Sequence, residues 1–156
     1  MGKAVVYVTR SGNSRALARQ LAAMLGMEAI EIVDKVDRHG FWGYMKAGFQ
    51  ASTRKATPIG DPGVNLSGAD VVVMVQPIWA SAVVPPLRTW LNSHKDELRS
   101  KKLGLFTVCK GSDASAVRAS FEKEFLPLAA FGGAFEKDDE QTRAAACERF
   151  LATLQA

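Results

Sequence analysis

Short apolar runs recur along the chain and are separated by segments with helical periodicity. Residues 5–8, 71–75 and 103–108 are mostly apolar, as expected of strands that are buried on both faces of a sheet. Residues 27–33, where apolar and acidic positions alternate, and residues 129–135 complete a set of five predicted strands. The pattern therefore predicts a sheet built largely of buried strands.

Helices are predicted after four of these strands. Their apolar positions recur every three or four residues, at Leu17, Leu21 and Met24 or Leu25; at Leu87, Trp90, Leu91 and Leu98; at Val117, Phe121 and Phe125; and at Ala145 or Ala146, Phe150 and Leu154. Gly26 suits the end of the first helix, and Pro85 with Pro86 the start of the second. Alternating strands and helices predict an α/β fold with a parallel sheet and helices on both faces. A length of 156 residues suits one domain, spanning residues 1–156.

Composition narrows the classes of function. The longest unbroken aliphatic run is residues 71–75, far shorter than the ~20 residues of a membrane-spanning helix. The net charge is +4, but the basic residues are scattered rather than gathered into a stripe, which argues against nucleic-acid binding. Cys109 and Cys147 form no metal-binding or disulfide pattern. No metal site is therefore predicted, and the reducing cytoplasm is the expected location.

The segment after the first strand is rich in hydroxyl and amide side chains. It consists of Thr9, Arg10, Ser11, Gly12, Asn13 and Ser14. A helix is predicted to begin here, so that backbone amides point outward and the helix dipole favours an anion. Gly12 would allow the backbone to approach a ligand closely. These features predict a site for a phosphate monoester, with a well-capped turn as the alternative.

The same sequence does not match other phosphate-binding or catalytic motifs. The glycine and lysine spacing of a Walker loop is missing, and no GxGxxG is present. Thr9 and Gln76 stand where a phospho-acceptor receiver domain needs acidic residues, and no arginine closes a phosphatase loop after Cys109. No residue is therefore assigned a catalytic role, and Cys109 is expected to be a small buried side chain.

Two more loops are expected at the same edge of the sheet, because the carboxyl ends of parallel strands lie together. Residues 76–86 present Trp79 among small residues, and its ring either packs in the core or stacks on a planar ligand. Residues 109–115 are small and polar, and Lys110 there faces either the ligand or water. Residues 41–49 have an apolar helical face, which predicts core packing; a wall over the ligand and a partner contact are the alternatives.

Taken together, these segments resemble the flavodoxin-like family, whose members bind FMN. Residues 5–14 are similar to that family's first strand and its T-x-T/S-G-x-T/S loop. Residues 77–79 and 85–87 resemble its second flavin loop and the helix that follows, and residues 132–135 resemble its last strand. The resemblance implies a three-layer, doubly wound α/β sandwich with a five-stranded parallel sheet in the order 2-1-3-4-5.

The resemblance also implies which residues contact the cofactor. Residues 9–14 would hold the FMN phosphate. The isoalloxazine ring would be lined by Gln76, Pro77, Ile78, Trp79 and Ala80, and its pyrimidine edge would receive backbone contacts from Cys109, Lys110 and Gly111. The implied function is electron transfer through a non-covalently bound flavin.

Three versions of the function remain open. They are an electron carrier between proteins, a small FMN-dependent reductase of NAD(P)H:quinone or protoporphyrinogen type, and a flavin-free interaction module of the same fold. The expected partner is a redox protein or a quinone-like small molecule, with no nucleic acid and no stable insertion into a membrane. The chain departs from the family's electron carriers in two respects: it is basic where they are usually strongly acidic, and its third loop has no aromatic residue.

Overall fold

A parallel sheet of five strands lies at the centre of the computed structural model, which describes residues 2–34, 59–60, 62–78, 82–110 and 114–156. The strands are β1 (Lys3–Tyr7), β2 (Ala29–Glu31), β3 (Val71–Pro77), β4 (Lys102–Cys109) and β5 (Ala130–Phe135). The helices of the described ranges are α1 (Asn13–Met24), α2 (Pro85–Leu98), α3 (Ser115–Glu124) and α4 (Glu140–Gln155).

The order of the strands across the sheet is β2-β1-β3-β4-β5, and every pairing is parallel. From β1 the chain moves to β2 on one side, and from β3 it moves to β4 on the other. The winding therefore reverses between β1 and β3, which are neighbours in the sheet. This arrangement confirms the predicted α/β architecture and strand order.

Apolar side chains cover both faces of the sheet. One face packs against α2 and α3, whose contributions include Leu87 and Phe121. The other face packs against α1 and α4, whose contributions include Leu17 and Phe150. β3 and β4 are buried along nearly their whole length because helices lie over both of their faces. The helical stripes predicted from the sequence thus contribute to the core, except that at the end of α1 Leu25 packs against it while Met24 is exposed.

The second strand is shorter than predicted, since it covers only residues 29–31 of the expected 27–33. Met27 belongs instead to the end of α1, where its amide donates to the carbonyl of Ala22 at 2.9 Å. Gly26 precedes it with φ = 71°, a left-handed conformation that glycine adopts without strain. The segment with alternating apolar and acidic residues therefore begins at the end of a helix, and only its central part forms a strand.

Two glycines in the sheet make room for the ring of Phe150 in α4. A Cβ atom on Gly104 would lie 2.7 Å from Phe150 Cζ, and one on Gly132 would lie 3.1 Å from Phe150 Cδ2. Contacts this short force the neighbouring atoms to move. Packing, rather than backbone conformation, therefore explains the glycines at these two positions.

Neither a membrane span nor a metal cluster is found in the part of the chain that the structure describes. No helix there is long and apolar enough to cross a bilayer. No group of three or more His, Cys, Asp and Glu side chains there could hold a metal ion.

Candidate functional site

The candidate site lies at the carboxyl edge of the sheet, where the chain leaves β1 and β3 in opposite directions. Val8 continues the pairing beyond β1, because its amide donates to the carbonyl of Val75 at 2.9 Å. From there the chain turns through residues 9–12 into α1 on one face of the sheet. β3 leads through residues 78–84 into α2 on the other face. A crevice between diverging connections of this kind is the usual ligand site of a doubly wound sheet.

The first loop is held in shape by its own polar groups. Thr9 Oγ1 accepts a hydrogen bond from the amide of Gly12 at 2.8 Å, and Asn13 Nδ2 donates to Ser11 Oγ at 3.2 Å. Gly12 stands at the N-cap of α1 with φ = 96°, in the left-handed region that glycine tolerates best. The loop is therefore a tight turn, and α1 begins directly after it.

The N-terminus of α1 presents donors without acceptors. Within the described part of the chain, the amides of Asn13, Ser14 and Arg15 have no hydrogen-bond partner, and no side chain caps the helix. Ser14 is only 1% exposed, and its hydroxyl has no partner among the described residues. The first turn contains no acidic residue that would compete for these donors. Free amides, a buried hydroxyl and the positive end of the helix dipole together favour an anion.

The side-chain face of Gly12, at the N-cap of α1, is open. A Cβ atom built on Gly12 would meet no atom within 4 Å. The glycine is thus required by its backbone conformation and not by crowding. The arrangement fits a phosphate group, which carries several acceptor oxygens and two negative charges. The residues predicted from the sequence to bind phosphate are therefore gathered around one helix terminus.

The second loop is organised by Gln76, near the end of β3. Gln76 is fully buried, its Nε2 donates to the carbonyl of Ala82 at 3.2 Å, and its Oε1 accepts from the amide of Val84 at 3.0 Å. This side chain is thus turned toward the backbone of its own loop. It fixes where the loop returns to begin α2.

Other members of the second loop lie at the end of β3. Pro77 pairs with Val108 in the sheet, and the amide of Ile78 donates to the carbonyl of Val108 at 3.1 Å. Both residues are partly buried, and Ile78 packs against the core beneath α2 and α3. Trp79 and Ala80, predicted to line the ring of a flavin, lie outside the described residues.

The third loop begins at the end of β4. Cys109 is 7% exposed, so it is the small buried side chain that the sequence predicts, and its carbonyl accepts from the amide of Glu136. Lys110 is exposed at the rim of the site. Gly111 lies outside the described residues, as does the aromatic segment of residues 41–49.

Sequence reasoning missed a charged cluster beside the first loop. Arg15 Nη2 donates to Glu31 Oε1 at 2.7 Å, and Arg15 Nε donates to Tyr7 Oη at 3.4 Å. Tyr7 and Glu31 are register partners at the ends of β1 and β2, so their side chains emerge on the same face. Arg15 and Glu31 are 16 positions apart in the sequence, so the pair cannot be recognised until the strand register is known.

The fold can be compared with known proteins. No protein-family profile matches the chain, and no curated protein matches it by sequence. Its structure is similar to that of a flavoprotein from Lactobacillus acidophilus in complex with FMN, with a TM-score of 0.70 and 17% identity over 92% of this chain and 98% of that chain. It is also similar to a flavodoxin, WrbA-like protein from Agrobacterium tumefaciens, with a TM-score of 0.68 and 12% identity over 99% of this chain and 95% of that chain. A third similar structure is oxidised flavodoxin 1 from Bacillus cereus, with a TM-score of 0.57 and 13% identity over 99% of this chain and 97% of that chain. The chain has the flavodoxin-like fold.

In this fold the first and second loops both lie where the winding reverses between β1 and β3. The reversal of winding between β1 and β3 coincides with the turn at residues 9–12 and the loop that Gln76 organises. The Asn13–Met24 helix directs its N-terminus at this reversal. The open donors of α1 therefore lie at the position where sheets of this topology bind ligands.

Proposed function

We propose that the chain binds FMN non-covalently and serves as a redox protein that carries electrons on the flavin. The bound flavin supplies reversible electron uptake, and the protein supplies binding, orientation and electrostatics. One of the similar structures contains FMN. In flavodoxin, whose strand order is also 2-1-3-4-5, FMN lies at the β1/β3 reversal.

The observation that carries this proposal is the set of unused donors at the start of α1. The amides of Asn13 and Ser14, together with the Ser14 hydroxyl, are available to the terminal phosphate of FMN. Hydrogen bonds to a charged group contribute about 1.5–3 kcal/mol each, more than those between neutral groups. A ligand with a terminal phosphate is therefore the best match to the first loop.

Carriage of electrons is favoured over catalysis by the side chains of the described loops. Among residues 8–14, 76–78, 82–84 and 109–110, none carries a carboxyl or an imidazole. A carrier needs no proton donor from the protein, whereas a reductase usually positions one. We place the partner among redox proteins, with a quinone-like small molecule as the other candidate. Neither Cys109 nor Cys147, both of which the structure describes, forms a disulfide, which supports a reducing compartment such as the cytoplasm.

The proposal is tested by titrating the purified protein with FMN, riboflavin and FAD while following the flavin fluorescence. We expect FMN to bind at least about tenfold more tightly than riboflavin, because riboflavin lacks the phosphate. Equal affinities for FMN and riboflavin, or no binding of either, would contradict the proposal. FAD should bind less tightly than FMN, because its flavin phosphate is part of a pyrophosphate and is not a terminal group.

Carrier and reductase are separated by a steady-state assay with NADH or NADPH and a quinone. For a carrier we expect no turnover above the background until a flavin reductase is added. Turnover by the FMN-loaded protein alone would show that it is a reductase.

Gly12→Ala should weaken FMN binding about tenfold, because a side chain at φ = 96° strains the turn that presents the amides. Gly26→Ala is the matched control, since Gly26 also has positive φ and open space around it, at the other end of α1. Both variants should lose about 1–2 kcal/mol of stability. Only Gly12→Ala should change the FMN dissociation constant; equal effects of the two variants would contradict the role of the first loop.

A further inference from the structure

Beside the first loop, Arg15 forms an ion pair with Glu31 and a hydrogen bond with Tyr7, and phosphate binding by the backbone amides requires neither contact. Arg15 is the third residue of α1, so its backbone belongs to the turn that presents the free amides. Its guanidinium group extends to the carboxyl end of β2, where Glu31 accepts a hydrogen bond at 2.7 Å. The side chains of Arg15 and Glu31 are 41% and 29% exposed, so they face partly toward solvent at the edge that binds the ligand.

The two charges act on an anion with opposite sign. A guanidinium in the first turn of α1 attracts a phosphate at that helix terminus, and a carboxylate beside it repels the phosphate. The hydrogen bond to Glu31, followed by the one to Tyr7, raises the pKa of Arg15 above its ordinary value, so the guanidinium keeps its charge. Because Arg15 and Glu31 form a hydrogen-bonded pair, the attraction by one and the repulsion by the other largely cancel at the anion.

We propose that Arg15 and Glu31 form a compensated charge pair that tunes how strongly the α1 terminus binds the phosphate of its ligand, with Arg15 as the attracting member and Glu31 as the opposing one. This proposal rests on the proposed function. Tyr7 acts as a positioning residue, because its hydroxyl accepts from Arg15 Nε and its ring is held in the core under α1. Either charge, removed alone, leaves the other uncompensated.

A double-mutant cycle tests the pair: Arg15→Gln, Glu31→Gln and the double variant, each titrated with FMN and with riboflavin. The measured quantity is the ratio of the two affinities, because a general disturbance of the fold would weaken both ligands alike. Arg19→Gln is the matched control, since Arg19 lies one turn further along α1 on the side of Glu28 and Ala29 and loses the same charge.

We expect Arg15→Gln to lower the preference for FMN over riboflavin by about two- to fivefold, and Glu31→Gln to raise it by a similar factor. The double variant should return close to the wild-type ratio, and Arg19→Gln should change it less than Arg15→Gln does. An unchanged ratio in both single variants, with FMN still bound, would overturn the pair's role while leaving the proposed function intact. Parallel losses of FMN and riboflavin would also overturn it, since they would indicate a purely structural bridge. Wild-type protein that binds no FMN would overturn both.

Discussion

Gln76→Leu should lower the free energy of unfolding by about 2–4 kcal/mol, because it leaves two buried backbone groups without partners. In the unmodified protein the carbonyl of Ala82 accepts from Gln76 Nε2, and the amide of Val84 donates to Gln76 Oε1. Leucine fills a similar volume but offers neither donor nor acceptor. Chemical denaturation measures the loss directly.

The same substitution should also weaken FMN binding, since the second loop would lose the bridge that sets its return to α2. Gln155→Leu is the control, because Gln155 is exposed near the end of α4 and its replacement should change stability by less than about 0.5 kcal/mol. If Gln76→Leu were as mild as this control, the loop would be fixed by other contacts.

Glu124→Ala should destabilise the protein by about 3 kcal/mol, because it removes the carboxylate that pairs with Arg88 in the interior. Arg88 is 2% exposed, and its Nε donates to Glu124 Oε1 at 2.8 Å while Nη2 donates to Oε2 at 3.4 Å. The pair connects the first turns of α2 to the end of α3. Loss of the carboxylate removes both of these hydrogen bonds from a buried cation, which costs more than the loss of an exposed ion pair.

The exposed pair of Asp96 and Arg99 on α2 provides the comparison. These side chains are 95% and 62% exposed and lie 3.7 Å apart, so Asp96→Ala should cost no more than about 0.5 kcal/mol. Thermal or denaturant unfolding of the two variants side by side gives the difference. Similar losses for Glu124→Ala and Asp96→Ala would mean that the Arg88–Glu124 bridge does not stabilise the packing of α2 on α3.

Much of the fold follows from patterns that are local in the sequence. The apolar runs predict β1, β3 and β4 because strands buried on both faces must be apolar throughout. Capping chemistry predicts the end of α1 at Gly26 and the start of α2 at Pro85, since each residue suits only that position in a helix. The first loop is predictable for the same reason: its donors are consecutive in the chain.

What the sequence does not reveal depends on contacts between distant residues. The bridge from Gln76 to Val84, the ion pair of Arg88 with Glu124 and the pair of Arg15 with Glu31 each join separate elements. The two backbone partners of Gln76 are not evident from the sequence, since they follow it by six and eight residues in the second loop. The second strand was predicted too long because Met27 fits the alternation of a strand, whereas its amide bonds back to the end of α1.

The central claim is that a terminal phosphate binds to the free donors at the start of α1. The most direct measurement is an NMR titration that follows the backbone amide signals of Asn13, Ser14 and Arg15. The account predicts large downfield shifts of these amides with FMN and much smaller ones with riboflavin, since only FMN can accept their hydrogen bonds. Amides that stay unchanged while FMN binds elsewhere in the protein would contradict it.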